Sequence, residues 1–393
     1  MLGLVGALGI AQIVSWGSLY YAIGVLGPPM RDELGVSELF LFGSFTAGLL
    51  VCGAIAPAAG RAIDRLGGSR VLSVGSVAGA LGMGVLAMAN GPVVVVLGWA
   101  IAGASMAATL YDPAFATLSQ HAGDKYRRAV TALTLLGGFA STVFWPLSKV
   151  LLDAFGWRAT FGIYSALQLA VCLPIHAFVI PTRARVSPAH AAMALAGGRA
   201  APAARPGLAK LNAAFAIANL VVGVIAVHMV GLLTGSGLTT KEAIAISVLM
   251  GPMQVAGRIV EMAFLRRVHA TQVGIVSLSL IVLAIVLLML VAGGGVLPIL
   301  FVIAYGAGNG LLTIVRGAAP AEMYGSDGLG ELLGRLSRSS SYARALGPAT
   351  YPALVAAGLG ERSSMALLDA LLVVGLATYC LALREARRAR GLA

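Results

Sequence analysis

Runs of roughly twenty apolar residues, enough to cross a bilayer as a helix, follow one another along nearly the whole chain. Charge is scarce: 59% of the 393 residues are hydrophobic and 11% are charged. A soluble chain of this length needs charged surfaces that this one cannot supply. The pattern predicts an all-α polytopic membrane protein.

The placement of the few charges sets an orientation. With loops assigned alternately to two sides, one side collects Arg61, Arg65, Arg70, Lys125, Arg127, Arg128, the arginines of 183–205, Lys210, Arg266, Arg267, Arg335, Arg338 and the basic tail from Arg384. The other side holds Arg31, Arg158, Lys241 and Arg362. The positive-inside rule makes the first side cytoplasmic, with both termini on it. The net charge of +12 then belongs to membrane topology, not to nucleic acid. No basic region precedes the first run, which is longer than a signal-peptide core and reads as a retained helix. Cys52, Cys172 and Cys380 lie inside apolar runs without metal-like spacing and read as small buried hydrophobes.

Taken in order, the runs predict helices over 4–26, 38–59, 70–90, 92–120, 130–155 and 156–180. Residues 181–208, rich in Ala, Pro, Gly and Arg, read as a cytoplasmic linker. The pattern then restarts over 209–233, 240–264, 271–291, 296–323, 336–359 and 363–383. This divides the chain into an N-terminal six-helix bundle (1–180), the linker (181–208) and a C-terminal six-helix bundle (209–393). The halves also match internally. Gly60-Arg61-Ala62-Ile63-Asp64 lines up with Gly257-Arg258-Ile259-Val260-Glu261, Ser105–Pro113 with Gly310–Ala318, and Phe144-Trp145-Pro146 with Thr350-Tyr351-Pro352. Three matches in the same order point to a duplicated half.

The stretch from Gly60 through Asp64, Arg65, Gly67 and Gly68 to Arg70 is too short and too charged to span, and reads as a tight turn between two membrane helices. Asp64 there is placed to form ion pairs or to cap a helix N-terminus. The pattern G-x-x-x-D-R-x-G-x-x-R closely resembles the loop between helices 2 and 3 of major facilitator superfamily (MFS) transporters. Helix count, linker, the degraded copy at Gly257–Glu261 and the Gly156-Trp157-Arg158 start of helix 6 extend the resemblance to the whole chain. It implies 12 transmembrane helices in two pseudo-symmetric bundles around a central cavity, working by rocker-switch alternating access as a monomer. It also implies that Gly60, Asp64, Arg65, Gly67 and Arg70, with Arg258 and Glu261, latch the cytoplasmic ends of the bundles. Two departures bear on substrate. Trp99 stands where drug/proton antiporters carry an arginine, and Trp145-Pro146-Leu147-Ser148-Lys149-Val150 keeps only the proline of their helix 5 motif. The stretch with His228, Gln254 and Arg258 is faintly similar to monocarboxylate-transporter relatives.

Ionisable and polar groups inside lipid are functional candidates by default. Helical spacing puts Tyr305, Asn309 and Arg316 on one stripe of helix 10, and Ser105, Thr109 and Asp112 on one stripe of helix 4. Arg316 is read as pairing with an anionic substrate or with Asp112, whose protonation would couple transport; a cytoplasmic latch is the alternative. Trp145 and Lys149 share a face of helix 5, where Lys149 either attracts an anion or pairs locally with Asp153. Gln12, Trp16 and Tyr20 share a face of helix 1, as substrate contacts or packing. Gln254 in helix 8 and Arg344 in helix 11 are further substrate-site candidates, and His228 is a second proton-coupling candidate or a structural histidine.

No enzyme constellation, P-loop lysine or metal cluster appears, and no cofactor is expected. These readings predict a proton-coupled secondary transporter of bacterial inner-membrane type. Its partners would be lipid, protons and a small, anionic, carboxylate-like organic solute. The residues leave open a proton-driven efflux pump for amphipathic or cationic compounds, and a transporter-like membrane sensor.

Overall fold

The computed structural model describes residues 1–182, 205–265 and 267–389. The core of the expected linker (183–204), Arg266 and Arg390 lie outside the described residues. The described chain divides into two compact units, Met1–Gly198 with Ser326–Arg338, and Arg199–Gly325 with Ser339–Ala393.

The first unit is built from seven helices and the start of an eighth. Helix α1 (Leu2–Leu34) carries a π turn at Trp16–Tyr21. Helix α2 (Glu38–Leu66) opens on Ser37, whose hydroxyl accepts from the Phe40 N–H at 3.1 Å, a side-chain N-cap. Then come α3 (Gly68–Ala87), α4 (Pro92–Thr109), α5 (Tyr111–Ala122), α6 (Tyr126–Gly138) and α7 (Ala140–Leu167). Pro92 at the start of α4 costs no hydrogen bond, because the first turn of a helix has none to lose. α7 kinks at Gly156 (φ 78) and continues through π turns to Val179. α3 packs between α4 and α7, α2 lies on α4, and α1 lies on α6 and α7. Trp99, Phe115, Phe161 and Tyr164 are fully enclosed in this unit.

The second unit holds α8 (Leu208–Gly235), α9 (Thr240–Val248), α10 (Met250–Val260), α11 (Ala270–Leu290) and α12 (Leu297–Tyr324). It also holds most of α13 (Leu329–Ala356) and α14 (Glu361–Arg388). A capping box between Thr239 and Glu242 starts α9. α11 packs on α12, α10 on α12, and α14 on α8 and α11.

Among the described residues nine helical segments are long and apolar enough to cross a membrane, one of them running from Pro92 to Val179 through three expected spans. α13 is not among them, because Glu331, Arg335, Arg338 and Arg344 dilute its apolar character.

Three expectations need correction. The 60–70 stretch is not a loop: α2 runs on to Leu66 and the chain turns at Gly67 alone (φ 85). No residue before Gly67 breaks a helix, and only glycine adopts that φ without strain. Second, the expected helix over 92–120 is broken at Leu110 (ψ −161), so Asp112 leaves the stripe of Ser105 and Thr109. Third, α13 starts at Leu329 rather than near residue 336, because its first turn is capped from elsewhere in the unit.

Candidate functional site

The break at Leu110 has a local cause. Pro113 has no N–H to give the Thr109 carbonyl four residues earlier. The Gln12 amide nitrogen supplies the missing donor at 2.6 Å. Its oxygen in turn accepts the Trp16 indole N–H at 3.1 Å. Gln12 is fully buried, so both ends of its amide serve to hold α1 to α4 and to fix Trp16. Around Trp16 the rings are contiguous: Tyr20 and Tyr111 each lie 5.1 Å away between centroids, and Tyr21 lies 6.2 Å away. Tyr21 also meets Trp145 at 6.1 Å. Such offset and edge-on pairs are favoured by the ring quadrupoles.

Elsewhere in the unit, the Asp64 carboxylate accepts the backbone N–H groups of Gly330 at 2.9 Å and Glu331 at 2.8 Å. These are free first-turn donors of α13, so a carboxylate satisfies them and the helix dipole together. Backbone contact makes the arrangement possible: a Cβ on Gly60 would strike the Gly330 carbonyl. Glu331 is met by Arg61 at 3.9 Å and by Arg335 at 2.8 Å. Gln120 braces the turn, donating to the Ile63 carbonyl at 2.8 Å and accepting from Gly68 N–H at 3.2 Å. Asp112 lines a narrow crevice here with Ala56, Gly60, Pro113, Gly330 and Gly334.

In the second unit the Arg344 guanidinium donates to the Asn219 side-chain oxygen at 2.6 Å. Asn219 is buried and its amide nitrogen is tied to the Phe215 carbonyl at 2.8 Å, which fixes its orientation. One turn along α13, the Pro348 carbonyl lies 2.8 Å from His228 Nε2. Pro352 cannot donate to that carbonyl. A carbonyl only accepts, so His228 Nε2 carries the hydrogen in this contact. Tyr351 packs against the His228 ring at 5.2 Å.

The sequence profile of the Major Facilitator Superfamily matches residues 8–348. The chain belongs to the Major Facilitator Superfamily. Among solved structures, this MFS chain is similar in fold to the human organic anion transporter MFSD10 (TETRAN), at TM-score 0.71 and 16% identity, over 96% of this chain and 99% of that one. It is similar to the proton:xylose symporter XylE at TM-score 0.76 and 12% identity, over 96% and 94%. The E. coli fucose:proton symporter FucP gives TM-score 0.69 and 13% identity, over 96% and 98%. No curated protein sequence matches the chain.

Within this MFS fold the predicted residues separate into groups. Gln12, Trp16, Tyr20 and Trp145 come together in the first unit. Lys149 does not join them. Its ammonium pairs with Asp153 at 2.5 Å on an exposed stretch of α7. Arg65 and Arg70 are exposed and form no ion pair among the described residues, whereas Asp64 engages α13. Tyr305, Asn309 and Arg316 line up on unbroken α12, with Tyr305 buried and the other two half-buried. Arg258 and Glu261 are buried; Arg258 Nε reaches the Gly310 carbonyl at 3.5 Å, where the Gln254 backbone packs on Gly310. Asp112 and Arg316 belong to different units. Asn219, Gln120 and Tyr111 escaped the sequence reading of the site. An asparagine deep in an apolar helix was the available signal for Asn219.

Proposed function

We propose that this MFS protein is a proton-coupled secondary transporter of small organic anions. One observation carries the anion reading. Arg344 is half-buried, and its partner Asn219 is neutral; no carboxylate pairs with it among the described residues. A guanidinium kept inside a membrane protein without a counter-ion is costly. A carboxylate solute would supply that counter-ion through a charge-assisted, forked hydrogen bond. Asn219 pre-orients the fork, which lowers the cost of binding. The fold neighbours include transporters of an organic anion and of sugars with protons. At such low identity they speak for fold alone.

In this reading Asp112 and His228 are the proton-coupling groups, and Arg316, Asn309, Tyr305 and Gln254 line the route. The Asp64 contact to α13 is the cytoplasmic latch, and both termini lie in the cytoplasm of a bacterial-type inner membrane. The test is uptake of radiolabelled monocarboxylates into proteoliposomes under an imposed pH gradient. Gradient-dependent uptake lost in Arg344→Ala supports the proposal. Transport of lipophilic cations instead, insensitive to Arg344→Ala, overturns it in favour of efflux.

A further inference from the structure

The rings of the first unit sit where two helices are interrupted. The π turn at Trp16–Tyr21 inserts an extra residue into α1 where the rings of Trp16, Tyr20 and Tyr21 meet one another. Tyr111 is the first residue after the break that Pro113 imposes on α4. Trp145, from α7, closes the row against Tyr21 and is 52% exposed. The other four are half-buried. Transporters bind solutes at discontinuous helices, and π turns recur at functional positions. A row of half-open aromatic faces on two such interruptions is built differently from the closed packing of Trp99 and Phe161 behind it.

The chemistry of the row selects its ligand. The Trp16 N–H is taken by Gln12, Gln12 is held at both ends by Trp16 and Thr109, and the Tyr111 hydroxyl donates to the Thr134 carbonyl at 3.4 Å. A sugar needs a dense set of unused donors and acceptors, because each hydroxyl it buries unbonded is costly. A flat aromatic ring needs only faces and edges at stacking distance. Lys149, one turn from Trp145 on α7, is paired with Asp153.

We infer that Trp16, Tyr20, Tyr21, Tyr111 and Trp145 form a subsite within the first unit for the aromatic ring of the transported solute. That the solute is also an anion rests on the proposed function above; the ring subsite does not.

The experiment uses the full-length protein in lipid nanodiscs and equilibrium titrations with four probes: benzoate, propionate, benzyl alcohol and D-glucose. Benzoate is expected to bind about tenfold more tightly than propionate, the scale of one good aromatic contact. Trp16→Leu abolishes that advantage, so that benzoate and propionate bind alike in it, while Trp16→Phe, which keeps a ring, preserves most of it. If Trp16→Leu fails to fold, Tyr111→Leu carries the same comparison. Equal binding of benzoate and propionate, or an advantage that survives both leucine variants, overturns the ring subsite and leaves the anion reading standing. Benzyl alcohol binding that depends on Trp16, with neither carboxylate bound, overturns the anion reading and keeps the subsite. Binding of D-glucose in preference to benzoate overturns the ligand class.

Discussion

The amide nitrogen of Gln12 lies 2.6 Å from the carbonyl oxygen of Thr109, replacing the backbone donor that Pro113 lacks. An interior carbonyl left without a partner costs about 1–3 kcal/mol. Gln12→Leu is therefore expected to destabilise the protein by that amount in thermal or denaturant unfolding. Pro113→Ala restores the N–H, so the double variant Gln12→Leu/Pro113→Ala should recover much of the loss. Additive losses in the cycle would show that the two residues do not share this carbonyl.

Asp64 caps α13 with both carboxylate oxygens. Removing an N-cap of this kind costs roughly 1 kcal/mol. Asp64→Ala should lower stability by about that much, and Asp64→Asn, which keeps one acceptor oxygen at the same reach, should restore part of it. If the contact is a latch in the transport cycle, uptake falls more than solute affinity in Asp64→Ala, measured by uptake and binding on the same preparation.

Gly330 meets Gly60 backbone to backbone, and a Cβ on it would come within 2.5 Å of the Gly60 carbonyl and 2.6 Å of an Asp64 oxygen. Gly330→Ala should therefore disturb the cap more than Asp64→Ala does, because it pushes the helices apart as well. Unchanged unfolding in Gly330→Ala would refute the close approach.

Asn219 holds Arg344 at 2.6 Å without neutralising it. Asn219→Leu is expected to weaken carboxylate binding about tenfold by loosening the guanidinium, at a cost near 1.4 kcal/mol. Arg344→Lys should retain weak binding, since it keeps the charge but loses the fork. Binding measured by titration in Asn219→Leu equal to that of the parent would exclude the positioning role.

His228→Gln keeps a donor for the Pro348 carbonyl but cannot titrate. If His228 carries a coupling proton, the pH dependence of uptake flattens while stability holds. An unchanged pH profile would make it a structural donor only.

Much of the architecture was legible as sequence. The apolar runs placed the helices, and the turn after helix 2 stood near Gly67. Breaks were less legible. Leu110 interrupts an apolar stretch because of a proline three residues later, and apolar periodicity alone reads through such a stretch. In the site, the helix 1 face held together, since Gln12, Trp16 and Tyr20 are local neighbours at helical spacing. Lys149 also kept its local partner, Asp153, one turn away. Asp112 was misaligned because the stripe that placed it assumed an unbroken helix.

The order of residues dictates where the backbone must turn or go short of a donor. Glycine permits the φ of 85° at residue 67, and prolines 113 and 352 strip a donor from the carbonyls of Thr109 and Pro348. These are local, steric consequences of covalent structure. Tertiary structure alone decided who answers them: Gln12 for Thr109, His228 for Pro348, and Asp64 for the free N–H groups of Gly330, 266 residues away. Those partners are chosen by which helices pack together in an interior where an unpaired polar group is costly. Helical periodicity within one segment carries no record of that choice.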